Sequence, residues 1–149
     1  MIAIIDYGMG NLRSVQKGFE RMGLEAVVTR EPHTILDASK VVLPGVGAFP
    51  DCMRNLEQYG LINAVRSSIT SGKPFLGICL GLQLMGTTFG GKVAPGTIGG
   101  YAEVDVEILK ENDILKGLPP KFKTWASHMD QVVELPDRFE VLARSSVGR

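Results

Sequence analysis

Apolar residues in the first half of the chain fall into two rhythms. Met1-Ile2-Ala3-Ile4-Ile5 is a short run that closes on Asp6 and Gly8. Short apolar runs bounded by glycine predict buried parallel strands. Leu12, Val15, Phe19 and Met22 recur at spacings of three and four, which predicts a helix over Asn11–Met22 with one buried face. Gly23 follows as its natural closing residue. Ala26–Thr29 and Lys40–Leu43 predict two more strands, the latter stopped by Pro44-Gly45. Asp51–Ser71 has helical character, with Met53, Leu56, Leu61, Ile62, Val65 and Ile69 inward and a break at Gly60. Phe75–Ile78 predicts a fourth buried strand, and a helix starts at Leu80. Alternating strands and helices up to residue 85 predict an α/β fold built on a doubly wound, mostly parallel sheet.

The rhythm then changes. Over Ala102–Leu109, Val104, Val106 and Ile108 alternate strictly with Glu103, Asp105 and Glu107. That pattern predicts a half-exposed strand in an antiparallel extension. Phe122–Ser127 and Phe139–Ala143 predict further strands, set off by Pro119-Pro120 and Pro136-Asp137. No repeat, low-complexity stretch or linker divides the sequence, so residues 1–149 are expected to form a single domain.

Composition narrows the function classes. The 149 residues are 44% apolar and 21% charged, ordinary for a globular chain. Sixteen Lys and Arg balance sixteen Asp and Glu, leaving no positive field to hold nucleic acid or an anionic membrane. Neither is an expected partner. No apolar stretch is long enough to span a bilayer. The N-terminus lacks the basic region and cleavage site of a signal peptide and reads as the first strand. Cys52 and Cys79 lie in unrelated contexts, so a reducing cytoplasm is the expected setting. No ligand cluster surrounds either cysteine, and neither a metal nor a cofactor is expected.

Lys73-Pro74-Phe75-Leu76-Gly77-Ile78-Cys79-Leu80-Gly81-Leu82-Gln83 carries the chemistry. It reads as strand, Gly-x-Cys-x-Gly, helix. A nucleophile on so tight a turn needs small neighbours two residues away on either side, and Gly77 and Gly81 supply them. The turn puts the Cys79 thiol at a helix N-terminus, where the dipole favours thiolate. The Leu80 N–H would face a developing oxyanion. Pro44-Gly45-Val46-Gly47-Ala48-Phe49 is a glycine-rich loop after a buried strand, able to bring further N–H groups to a ligand. Gly8-Met9-Gly10 lacks the third glycine of the dinucleotide fingerprint, which excludes nucleotide binding there. Cys52 is expected to pack rather than react.

These motifs resemble the class I glutamine amidotransferases. Ile5–Val15, Leu43–Phe49 and Gly77–Leu84 look like the glutaminase subunit of imidazole glycerol phosphate synthase, a resemblance running over residues 1–85. Phe89–Val93 and Tyr101–Arg144 look like the glutaminase domain of GMP synthetase instead, most clearly in Trp125-Ala126-Ser127-His128-Met129-Asp130-Gln131-Val132. The chain thus reads as a composite of two sister enzymes joined after the elbow helix. The resemblance implies the flavodoxin-like fold of that superfamily. It also implies glutamine hydrolysis through a Cys79 thioester and transfer of ammonia to a synthase partner. That partner would be a (β/α)₈ cyclase subunit in histidine biosynthesis, or alternatively the ATP-dependent GMP synthetase subunit in purine biosynthesis. Gly45, Val46, Gly47 and Leu80 match oxyanion and substrate-cradling positions, and Gln83 matches a glutamine-binding one.

Both sister families carry a His-Pro-Glu motif that completes a Cys-His-Glu triad, and it is not among these 149 residues. The expectation is a domain that keeps the fold and turns glutamine over poorly, or serves as a docking module. His33, in Glu31-Pro32-His33-Thr34, reads as a solvated loop residue. His128 is the other histidine, and His128-Met129-Asp130 repeats the spacing of imidazole and carboxylate. His128 and Asp130 are therefore candidates for a substitute base pair or for a partner-facing edge, and the resemblance favours the latter.

Overall fold

The computed structural model describes residues 1–111, 115–137 and 139–146, with the side chains at 96–102 and 126–129 outside the described set. Four strands, β1 (Ile2–Ile5), β2 (Ala26–Thr29), β3 (Lys40–Leu43) and β4 (Phe75–Gly77), form a parallel sheet in the order β2-β1-β3-β4. Helices α1 (Leu12–Arg21), α2 (Pro32–Asp37), α3 (Phe49–Gln58), α4 (Ile62–Thr70) and α5 (Leu80–Thr88) complete this half.

Both faces of the central strands β1 and β3 are covered, which is why they are apolar without alternation; β4, expected to be buried, is an outer strand of this sheet and leaves Leu76 46% exposed. Ile2, Ile4 and Val42 pack against Leu12, Val15 and Phe19 of α1. Ile5, Val41 and Leu43 point the other way, into a larger core with Ile35, Leu56, Leu61, Val65 and Leu84. Helix ends follow the local chemistry. The Asn11 Oδ1 accepts from the Ser14 N–H at 3.3 Å and caps α1. Gly23, at φ +72°, closes α1 with the paired bonds Gly23 N to Glu20 O and Leu24 N to Phe19 O. Gly60 ends α3 in the same way, with Leu61 N bonding Leu56 O. The break expected at Gly60 is therefore present.

Several sequence expectations need correction. Met22 was expected inward and is 64% exposed, because α1 already ends at Arg21. α2 was missed; it is six residues long and buries Ile35 alone, too little for a period to register. The expected strand at Ala102–Leu109 is the end of a longer one, β5 (Lys92–Ile108), paired antiparallel with β6 (Lys121–Glu134). Pro95 and the glycines after it look like a loop in sequence, and the ladder accommodates them by a register shift between Pro95 and Gly100. Phe139–Ala143 is not a strand. β7 spans Ala143–Ser145, where Ala143 pairs with Ile108 and Ser145 with Val106. The second sheet thus has the order β6-β5-β7.

α5 joins the two sheets. Its Gln83 Nε2 donates to the Asp130 carbonyl on β6 at 2.6 Å. A Cβ on Gly86 would stand 3.3 Å from Val132, and one on Gly91, just past the helix, 2.4 Å from the Glu134 carbonyl. Small residues at these points let the antiparallel sheet seat directly on the helix.

Candidate active site

Cys79 stands between β4 and α5 with φ 53° and ψ −106°, the one positive φ among the described non-glycine residues. A side chain held there costs about 1–3 kcal/mol, and such strain collects at functional sites. The surroundings impose it. The Ile78 N–H bonds the Leu43 carbonyl at 3.0 Å, and the Cys79 carbonyl already accepts from Leu82 N at 2.9 Å. The chain must therefore turn from strand to helix within a single residue. A Cβ on Gly77 would fall 2.3 Å from the Gly81 carbonyl carbon, and one on Gly81 would fall 2.4 Å from the Leu43 carbonyl oxygen. Both glycines are steric requirements of the turn.

The thiol of Cys79 is exposed and makes no capping hydrogen bond to its own helix. It opens on a cavity of about 390 Å³. Gln83 and Leu82 form one side, Asp130 and Val132 of β6 another, and the segment 139–145 the far wall. Phe139 in that wall is braced by Phe89, ring centroids 5.5 Å apart.

The Pro44–Gly47 loop lies against the elbow. A Cβ on Gly45 would be 2.2 Å from the Leu80 Cβ and 3.1 Å from the Leu80 nitrogen. Gly45 is buried, Val46 and Gly47 are exposed, and Gly47 takes φ +103°. Among the described residues, no acceptor meets the N–H groups of Gly45, Val46, Gly47 or Leu80. Free backbone donors beside a thiol on an elbow are what an oxyanion requires.

The candidates from the sequence separate into groups. Cys79 and Gln83 line the cavity, and Leu80 meets the Gly45 loop beside it. Gln83 is buried, its amide N–H₂ held by the Asp130 carbonyl, and Asp130 also lines the cavity. His128 sits on β6 in register with Gly100, and its side chain lies outside the described residues. His33 is exposed, as expected, but on the first turn of α2 rather than in a loop. Cys52 is fully buried, as expected of a packing residue. Sequence reasoning missed the 139–145 wall, which contributes Glu140 and Arg144 to the cavity lining. It also missed the contact of Cys52 with the Val46 carbonyl at 3.5 Å. Neither leaves a motif, because each depends on a meeting of distant segments. Among the described residues, no group of three or more His, Cys, Asp or Glu stands together as a metal site, and no helix is long and apolar enough to cross a membrane.

A parallel α/β sheet that delivers a strained cysteine to a helix N-terminus, beside free N–H donors, defines a nucleophile-elbow protein of the cysteine type. Within that class the chain belongs to the class I glutamine amidotransferases, whose family model matches residues 3–149. It is 69% identical over 86 residues to the imidazole glycerol phosphate synthase subunit HisH of Geobacter metallireducens, covering 58% of this chain and 41% of that protein. It is also 61% identical over 74 residues to a subunit of the glutamine-hydrolyzing GMP synthase of Methanothrix thermoacetophila, covering 50% of this chain and 41% of that one. The chain thus spans about two fifths of the length of these curated relatives. A solved glutamine amidotransferase from Thermotoga maritima shares the fold, with a TM-score of 0.72 at 21% identity over 99% of this chain and 68% of the other.

Proposed function

We propose that residues 1–149 form one glutaminase domain that hydrolyses L-glutamine and passes the ammonia to a synthase partner. The strained backbone of Cys79, with its thiol open to the cavity, carries this reading. The thiolate adds to the side-chain amide carbon, and the carbonyl oxygen takes the negative charge. Leu80 N–H and the loop donors of Gly45, Val46 and Gly47 hold that oxyanion. Collapse breaks the C–N bond, the nitrogen takes a proton from water and leaves as ammonia, and the hydroxide equivalent then adds to the thioester, releasing glutamate and returning the Cys79 thiolate. Gln83, its amide nitrogen already bonded to Asp130, offers its carbonyl oxygen to the α-ammonium of the substrate. His128 and Asp130 lie on β6, the strand that forms the cavity side facing Cys79, and stand as base or partner-facing positions.

The acceptor is the cyclase barrel subunit of imidazole glycerol phosphate synthase. The 69% identity to HisH supports this acceptor, and the reading carries with it a cytoplasmic heterodimer with lyase activity in histidine biosynthesis. The 61% match to the GMP synthase relative favours a second reading, in which the ATP-dependent GMP synthetase subunit takes the ammonia. Ammonia release from L-glutamine, measured with each synthase partner supplied in turn, separates them. The productive partner raises the rate above that of Cys79→Ala. A rate equal to Cys79→Ala with both partners would refute glutamine hydrolysis and leave a docking module.

A further inference from the structure

Beneath the Pro44–Gly47 loop lies a side-chain cluster that the chemistry above does not use. Cys52 on α3 is fully buried, and its Sγ lies 3.5 Å from the Val46 carbonyl oxygen and 3.6 Å from the Met9 sulfur. The Tyr7 hydroxyl donates to the same Sγ at 3.9 Å. Tyr7 is also fully buried, and Asn55 on α3 fixes its backbone by donating to the Tyr7 carbonyl at 3.2 Å. Burial first, and then the neighbouring Cys52, push the Tyr7 hydroxyl well above the ordinary tyrosine range. Burial likewise raises Cys52. Both groups therefore stay protonated and act as donors at neutral pH.

A thiol has one proton. Of the two acceptors in reach, a carbonyl oxygen is the stronger and a thioether the weaker. The Tyr7 hydroxyl occupies a lone pair of the sulfur and leaves the S–H free to turn to Val46. The peptide between Val46 and Gly47 is trans, so the Val46 carbonyl and the Gly47 N–H point in opposite directions. With the carbonyl held inward, the Gly47 N–H faces outward. Met9 backs the arrangement, since a Cβ on Gly47 would lie 2.7 Å from the Met9 methyl.

We propose that Cys52 is a positioning residue: its thiol, oriented by Tyr7, pins the Val46 carbonyl and so keeps the Gly47 N–H turned out as an anion donor on the loop beside Cys79. The inference rests on the glutaminase reading, which supplies the oxyanion for that donor to meet. It gives the turn after β1 a task in the site, because Tyr7 and Met9 both reach the loop through Cys52.

The test uses the 149-residue chain and a glutamine analogue with a chloromethyl ketone in place of the side-chain amide. The Cys79 thiolate adds through a tetrahedral oxyanion, a C–S bond forms and chloride leaves. Iodoacetamide alkylates the same thiol without an oxyanion and serves as the control. Adducts are located by peptide mass spectrometry. Cys52→Val loses the donor and puts a second γ atom into the core, an overpacking that the thermal melt of the variant reads. It is expected to lower the saturating ketone rate about fivefold, with half-saturation and the iodoacetamide rate unchanged, because a donor made for the transition state acts on rate rather than binding. Cys52→Ser restores a donor and is expected within about twofold of wild type. If Cys52→Val melts too low to assay, Tyr7→Phe removes the orienting hydroxyl and should shift the ketone rate in the same direction. Wild-type ketone rates in either assayable variant overturn the proposal. So does a parallel loss of both labelling rates that serine does not rescue, which marks a packing role alone. A wild-type chain that iodoacetamide labels at Cys79 and the ketone does not would instead overturn the glutaminase reading, and this inference with it.

Discussion

Replacing Cys79 by glycine and by alanine separates the thiol from the backbone that carries it. Both variants lose the sulfur. Only alanine keeps a Cβ at φ 53° and ψ −106°. That combination lies outside the basins open to L-residues, where a side chain costs about 1–3 kcal/mol. Glycine escapes the cost but loses about 0.5–1 kcal/mol more chain entropy on folding. The Cys79 side chain is exposed, so neither variant opens a cavity in the core. The difference leaves Cys79→Gly more stable than Cys79→Ala by about 1 kcal/mol, within a span of about 0–2.5 kcal/mol. For a domain of this size, 1 kcal/mol moves the melting temperature by about 2–4 °C. Thermal melts and urea titrations of the two variants at one pH read this directly. Wild type should melt beside the alanine variant, with the glycine variant a few degrees above both. An alanine variant that melts above the glycine variant would show that the elbow stores less strain than glycine's entropy cost of about 0.5–1 kcal/mol, and the case for Cys79 as a forced nucleophile would lose its physical basis.

Other consequences are as direct. Gly45→Ala places a methyl 2.2 Å from the Leu80 Cβ, where about 3.5–4 Å is the ordinary separation, so the loop must withdraw by about 1.5 Å. A misplacement of about 1 Å can cost 100-fold, so ketone labelling of Cys79 should fall by about that factor while iodoacetamide labelling holds within about threefold; equal losses in both would point to a collapsed elbow. Gly18→Ala, inside α1 with open space around its Cβ, should raise stability by about 0.5–1 kcal/mol in urea titration, and a loss would contradict the helix there. Asp6 is partly buried, which alone would raise its pKa, but Arg30 at 2.7 Å and the Gly8 N–H at 3.0 Å outweigh this and hold it below the ordinary carboxylate value. Its folded value is thus below its unfolded one, so its contribution is complete above about pH 4 and lost as pH falls through the folded pKa. Asp6→Asn should flatten the acid side of the melting profile between about pH 2 and 5 and meet wild type at the low end; parallel profiles would exclude Asp6 as the titrating group.

The parallel half was legible because its signals are local. Ile2–Ile5 and Lys40–Leu43 are strands with both faces covered, and Gly77, Cys79 and Gly81 must stand at fixed spacing for the turn to close. The second half was legible only where one face is wet. Val104 is 3% exposed and its neighbours Glu103 and Asp105 are exposed, so the alternation there was plain. Upstream, Pro95 and the glycines at 96, 99 and 100 conceal a strand that exists because β6 lies beside it. The 139–145 wall is held from a distance, with the Leu142 carbonyl accepting from Leu109 N at 2.8 Å and Lys110 N at 3.1 Å. No window of sequence around Phe139 contains those donors. The same holds for Cys52, whose partners Tyr7 and Met9 sit more than forty positions away in the chain.

The seat between α5 and β6 has a further meaning for how such a chain can be put together. The parallel sheet and the antiparallel ribbon meet at a few compact points: the Gln83 amide under the Asp130 carbonyl, Gly86 under Val132, and Gly91 under the Glu134 carbonyl. None of these three asks for a particular side chain on the ribbon except a small branched one at 132, because two of the three are made with its backbone; just past the ribbon, the aromatic at 139 that packs on Phe89 is a further requirement. A joint of that kind behaves as a standard coupling. Ribbons from different sister proteins can be fitted behind one elbow, provided the helix keeps its glutamine and its two bare patches. A library that fixes residues 1–91 and exchanges the ribbon should therefore yield folded members at a higher rate than one cut inside β4 or α5, where every neighbouring glycine is committed to the turn at Cys79.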